Sequence, residues 1–131
     1  MTKAYDFEAL GRSVQRSPRT EAMRDGNDDQ RIRYAIAHKH LLRFSLYGLT
    51  RIVEPHDYGI RNGAPQLLAY QVFGESQSGK LPSWRWVMLG HASNFEVLDE
   101  TFAGSRNAEV HHHITWDRLF ARVDRIFPDM D

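Results

Sequence analysis

Arg51-Ile52-Val53-Glu54-Pro55-His56-Asp57-Tyr58-Gly59-Ile60 runs into Asn62-Gly63 and then into Leu67-Leu68-Ala69-Tyr70-Gln71-Val72. Two extended runs joined by Asn-Gly form the strongest short-range signal of a β-hairpin, because both central positions of a type I′ turn need positive φ. The first run is polar and aromatic and the second is apolar, so the first reads as half exposed and the second as buried. Working outward, short apolar runs separated by turn residues place strands near 41–47, 51–60, 66–73, 83–90 and 94–98, with Gly48 in the first turn. The connection Gly74 to Pro82 is long and polar, so packing and not turn geometry must fix the strands it joins. Five short strands with no helix between them predict an antiparallel barrel or sandwich.

Helices are expected on both sides of this block. Asn27 or Asp28 can cap a helix, Gln30 completes a capping box, and Ile32, Ala35 and Ile36 recur at helical spacing up to about Lys39. At the other end Trp116, Leu119, Phe120, Val123, Ile126 and Phe127 form an apolar stripe, with Thr115 as cap and Pro128 as stop. That stripe predicts a C-terminal amphipathic helix that closes the barrel or packs on a second copy of the chain. Residues 1–27 are rich in charge and broken by Ser17-Pro18, and they read as a flexible arm with a short helix over Phe7 to Val14. The domain plan is therefore an arm at 1–27, a barrel with its leading helix at 28–104, and a linker with helix at 105–131.

A chain of 131 residues suits one domain. Its 17 Lys and Arg balance 17 Asp and Glu, so any pull on nucleic acid must come from a local patch. Without cysteine, disulfides, thiolate zinc sites and cysteine nucleophiles are excluded, which accords with a reducing cytoplasm. No apolar run approaches the roughly 18 residues of a membrane span, and the N-terminus has no signal-peptide pattern, so a cytoplasmic protein is expected.

Several residues invite chemistry. Arg51, His56, Tyr58 and Arg61 could line a basic, aromatic surface that pairs with phosphate and stacks on bases, or could be polar only because water faces them. In Trp84-Arg85-Trp86 the two indoles share a strand face and read as core, leaving Arg85 as a candidate anion contact, with Lys80 nearby in the loop. His111-His112-His113 offers imidazoles, but only His111 and His113 share a strand face and no His-Glu-x-x-His motif exists, so neither metal nor other cofactor is expected. The pairs His56 with Asp57 and Asp99 with Glu100 are adjacent on strands and face opposite ways, and no nucleophile elbow or phosphate loop is present. A non-enzymatic protein is expected.

The order of elements, with Arg51-x-Val53-x-Pro55, then Leu67-Leu68-Ala69-Tyr70, then Arg85 opening a later strand, resembles the WYL domain of bacterial transcription regulators over about Gln30 to Phe102. The resemblance implies a five-stranded barrel of the Sm-like and Src-homology-3 type, and a regulatory role in binding a nucleotide or nucleic acid through basic and aromatic residues. It departs where Pro65-Gln66-Leu67 replaces Trp-Tyr-Leu, and where His91 stands in place of a ligand-contacting arginine. No winged helix-turn-helix accompanies it, so a stand-alone module with a separate DNA-binding partner is expected. The implied ligand-binding set is Arg51, His56, Tyr58, Arg85 and His91. The alternative is a protein-interaction domain, a homodimer assembled through Trp116 and Phe120.

Overall fold

The computed structural model describes residues 17–74, 83–106 and 114–123. Two helices, α1 (Pro18–Ala22) and α2 (Asp28–His38), precede strands β1 (His40–Leu46), β2 (Leu49–Arg61), β3 (Ala64–Gly74), β4 (Ser83–Met88), β5 (Ala92–Thr101) and β6 (Arg118–Arg122). The five expected strands are all found. So is the leading helix, whose Asn27 side chain accepts from the Gln30 amide while the Gln30 side chain accepts from Asn27 N–H, each at 2.8 Å. Ile32, Ala35 and Ile36 are its buried stripe. Asn62 and Gly63 both have positive φ, as a type I′ turn requires.

All pairings are antiparallel, in the order β4-β3-β2-β1-β5, with β6 added to β2. The expected barrel is corrected here: the sheet is not closed, and among the described residues no pairing joins β4 to β5. Strand β2 organises the sheet. One of its edges pairs with β3 throughout, while the other pairs with β1 at 49–53 and with β6 at 57–60. The change of partner falls around Pro55, which has no N–H to give a ladder and sits where the β2–β3 register shifts between Pro55 and Asp57.

The expected C-terminal helix is a second correction. Residues 118–122 are a strand, bracketed by Asp117 N–H donating to the Ile60 carbonyl and Val123 N–H to the His56 carbonyl, each at 2.8 Å. Gly59 makes this possible, because a Cβ there would collide with the Arg118 carbonyl oxygen. Part of the apolar stripe that suggested a second copy packs on its own chain, while Leu119 is exposed. Val123 is buried, Phe120 meets Tyr58 edge-on at 5.2 Å, and Trp116 lies 5.7 Å from Trp86. Ile126, Phe127 and the end of the stripe lie outside the described residues.

The arm is corrected in part. From Ser17 the chain is docked: Thr20 is buried, its hydroxyl donates to Asp99 Oδ1, and Ser17 N–H donates to Asp99 Oδ2 at 2.8 Å. The helix expected at 7–14 lies outside the described residues, as do the 75–82 connection with Lys80 and His111 to His113. The core unites α2 with the sheet through Leu41, Leu42, Phe44, Ile52, Val53 and Leu67. Each such side chain contributes roughly 1.5–3 kcal/mol by leaving water. Among the described residues no helix is long and apolar enough to cross a membrane.

Candidate functional site

Residues 51–59 are buried without interruption, so β2 is not the half-exposed strand its polar residues suggest. It is central, and its charges are matched by partners distant in sequence. Arg106 grips Glu54 with two bonds of 2.6 and 2.9 Å, and Arg122 grips Asp57 with two of 3.1 Å. Such paired bonds are the form in which a carboxylate tolerates burial.

His56 and Tyr58 are likewise part of the frame and not of a surface patch. The His56 ring is wholly buried, with Nδ1 on the Glu54 carbonyl at 2.9 Å and Nε2 accepting Arg106 N–H at 3.2 Å. These contacts fix a neutral ring protonated at Nδ1. Trp84 meets it edge-on at 4.8 Å and Phe102 stacks at 5.7 Å. Tyr58 donates its hydroxyl to Asp29 Oδ1 at 2.7 Å, tying α2 to β2. That bond, with Arg33 beside it, holds the Asp29 carboxyl below its ordinary value, while burial first and Asp29 second push the Tyr58 phenol up. His56 and Asp57 form no acid–base pair, since the ring faces Glu54 and the carboxylate faces Arg122.

Arg51 differs from the buried carboxylates of β2. It is 6% exposed, yet among the described residues it has no ion pair, and its Nε has no hydrogen-bond partner. Its Nη1 makes one long contact, 3.5 Å, to Gln71 Oε1, and Arg85 Nε donates to the same oxygen at 3.2 Å. Two guanidiniums from β2 and β4 therefore converge on one buried amide of the strand between them. Burial first, and the charge of Arg85 second, lower the Arg51 pKa from its ordinary value. Arg85 is half-buried; the expectation that both neighbouring indoles are core is corrected, since Trp84 is half-buried against Tyr70 while Trp86 is exposed beneath the Arg61 guanidinium at 4.1 Å.

His91 is exposed in the short turn between β4 and β5, where its ring lies 5.3 Å from that of Tyr47. The structure thus brings Arg51 and Arg85 together on Gln71, leaves His91 against Tyr47 with no contact to either arginine among the described residues, and removes His56 and Tyr58 to the interior. Gln71 and Tyr47 are the residues sequence reading missed. Gln71 gave no signal, but Tyr47-Gly48 occupies the turn position that Asn62-Gly63 fills in the next hairpin.

A cleft of about 260 Å³ lies elsewhere, between the first helices and β5, lined by Thr20, Arg24, Arg31 and Glu96 among others. Its charges are engaged within the chain: Arg24 with Glu21, Arg31 with Asp28 and two backbone carbonyls, Glu96 with Arg43. Among the described residues no group of three or more His, Cys, Asp or Glu side chains is placed to hold a metal.

No family model and no curated protein matches the chain. Among solved structures it is similar to proteasome accessory factor B/C (PafBC) of Arthrobacter aurescens, with a TM-score of 0.51 and 21% identity. The match covers 69% of this chain and 15% of that one, so this chain corresponds to a small part of PafBC. The likeness is one of fold.

Proposed function

We propose that the chain is a regulatory, non-enzymatic ligand-binding module of WYL type, which takes the phosphate of a nucleotide or of single-stranded nucleic acid between Arg51 and Arg85. The observation that carries this reading is the buried Arg51 guanidinium, which among the described residues has no carboxylate partner and is aimed with Arg85 at Gln71. A buried cation is ordinarily paired. On the same strand Glu54 and Asp57 each have a dedicated arginine, so an Arg51 with no counter-charge among the described residues is a local exception that an incoming anion would fill. Guanidiniums suit phosphate because their planar forks donate two bonds at once. The motif resemblance and the fold likeness to PafBC are compatible with a module of this kind.

The test is titration of the purified protein with pyrophosphate, adenosine monophosphate and short single-stranded oligonucleotides at low salt. Binding that weakens as salt rises is expected. Arg85→Ala should lose about tenfold or more in affinity, in line with the roughly 1.5–3 kcal/mol of a charged hydrogen bond, while circular dichroism stays unchanged. No binding by any of these probes at low salt would remove the proposal.

A further inference from the structure

The turn between β2 and β3 carries a residue pair that can modify itself. Glycine has no Cβ to shield its nitrogen, so the nitrogen of Gly63 can add to the carboxamide carbon of the asparagine before it. Asn62 and Gly63 are both exposed, and among the described residues the Asn62 carboxamide has no hydrogen bond. A Cβ built on Gly63 would meet nothing within 4 Å, so no neighbouring atoms bar the approach.

One contact does hold the reacting nitrogen. Gly63 N–H donates to Asp117 Oδ2 at 2.8 Å, although the two residues are 54 apart in sequence. Asp117 leads directly into β6, and its own N–H donates to the Ile60 carbonyl at 2.8 Å. The Gly63 nitrogen is therefore capped only while the start of β6 lies on β2. That cap opposes the attack in two ways. The nitrogen must shed its proton to become a nucleophile, and a charge-assisted bond to the carboxylate retains that proton. Its loss would also set negative charge on the nitrogen beside a negative oxygen. The turn adds a third restraint, since φ of 54° and 80° are fixed by the closure of Arg61 on Ala64, whereas attack needs the two atoms free to come into line.

We infer that Asn62 is a site of spontaneous modification whose rate is set by β6, with Asp117 as its guard. When β6 leaves the sheet, the Gly63 nitrogen bonds to Asn62 Cγ and the Cγ–Nδ2 bond breaks. The proton of Gly63 passes through solvent to the departing nitrogen, which leaves as ammonia. Water then opens the cyclic imide at either carbonyl, giving aspartate or, with the backbone rerouted through the side chain, isoaspartate. Either product carries a carboxylate where a neutral amide stood, beside the position that the Asp117 carboxylate must reoccupy, and like charges oppose that return. Isoaspartate also lengthens the backbone of a two-residue turn. The chemistry thus acts as a one-way latch: detachment of β6 exposes the site, and modification keeps the strand detached.

The experiment incubates the purified chain at neutral pH and follows residue 62 by peptide mapping and mass spectrometry. The folded wild type should convert at least about tenfold more slowly than the same chain in urea, the factor that one charge-assisted hydrogen bond supplies. Asp117→Ala should convert about tenfold faster than the folded wild type, with circular dichroism unchanged. Asp117→Asn keeps an acceptor without the charge and should gain about threefold, which carries the test if the alanine variant does not fold. Asn62→Asp installs the charge of the product without the reaction, and should lower the exchange protection of amides 118–123 relative to Asn62→Gly, which keeps the turn and cannot react. Equal rates for folded and unfolded wild type, or Asp117 variants that convert no faster than the wild type, overturn the guard. Equal protection of 118–123 in Asn62→Asp and Asn62→Gly overturns the latch.

Discussion

The pairing of Arg122 with Asp57 decides whether the last strand is held to the sheet by its sequence or merely lies against it. In Arg122→Met, Asp57 loses two guanidinium bonds of 3.1 Å. Its side chain is 0% exposed, whereas that of Arg122 is 28% exposed, so the charge left behind is the one fully out of water. Breaking such a pair from one side costs about 3–5 kcal/mol when both members are buried. Here the arginine is partly solvated and Asp57 keeps other interactions, which brings the expected loss to about 2–3 kcal/mol. Urea unfolding measures it, and the cycle with Asp57→Asn isolates the pair, because the double variant no longer buries a charge and should lose at least about 1 kcal/mol less than the two single losses added together. Hydrogen exchange should show the amides of 118–123 opening first. A loss below about 0.5 kcal/mol for Arg122→Met, or strictly additive variants, would refute the claim that this pair fastens β6.

Gly59→Val should place its Cβ against the Arg118 carbonyl and the Leu119 backbone, stripping exchange protection from β6 while β1 and β5 keep theirs; unchanged protection of 118–123 would contradict the close approach. Stability should also fall in acid. Burial pushes the Asp99 carboxyl up, but hydrogen bonds from Thr20 and Ser17 outweigh it and leave it, like Asp29, below the ordinary value of 3.8. Carboxylates depressed in the folded state contribute stability above the unfolded value and lose it as pH falls through the folded one, so the urea midpoint should decline below about pH 4. Asp99→Asn should flatten that decline, and an acid limb identical to the wild type's would show that the tether at Thr20 contributes nothing.

The elements most legible in the sequence were those whose causes are local. The Asn27 and Gln30 capping box, the Asn62-Gly63 turn and the turn-bounded apolar runs of β1 to β5 each act over a few residues, and each was found close to its expected place. Strand β6 was not legible, because Trp116, Leu119, Phe120 and Val123 fit a helical stripe as well as a strand edge. What decides between them is an unpaired edge on the second half of β2, opened by Gly59, which is a tertiary fact that overrides propensity. The site was half legible for the same reason. His56 and Tyr58 looked like part of a basic, aromatic surface only because Arg106 and Asp29 lie 50 and 29 residues away from the groups they satisfy.

Arg51 can be used to separate a binding residue from a structural one, since the two roles predict opposite signs. If the guanidinium were part of the frame, as Arg106 and Arg122 are, its removal would strip a partner from a buried group and destabilise the fold. Its surroundings predict the reverse. The side chain is 6% exposed, its Nε has no partner, and burial followed by the neighbouring Arg85 charge depresses its pKa. A cation whose folded pKa lies below its unfolded one detracts from stability at neutral pH, because the folded state disfavours the charged form. Arg51→Met keeps an unbranched apolar stem, removes the charge and the unsatisfied donor, and should therefore stabilise the ligand-free chain by about 1–2 kcal/mol, or a few degrees in melting temperature. The same variant should lose anion binding, the exchange of stability for function expected where a site is held ready for a ligand. A destabilised Arg51→Met would show that the arginine supports the sheet, and the anion site would then have to be sought without it.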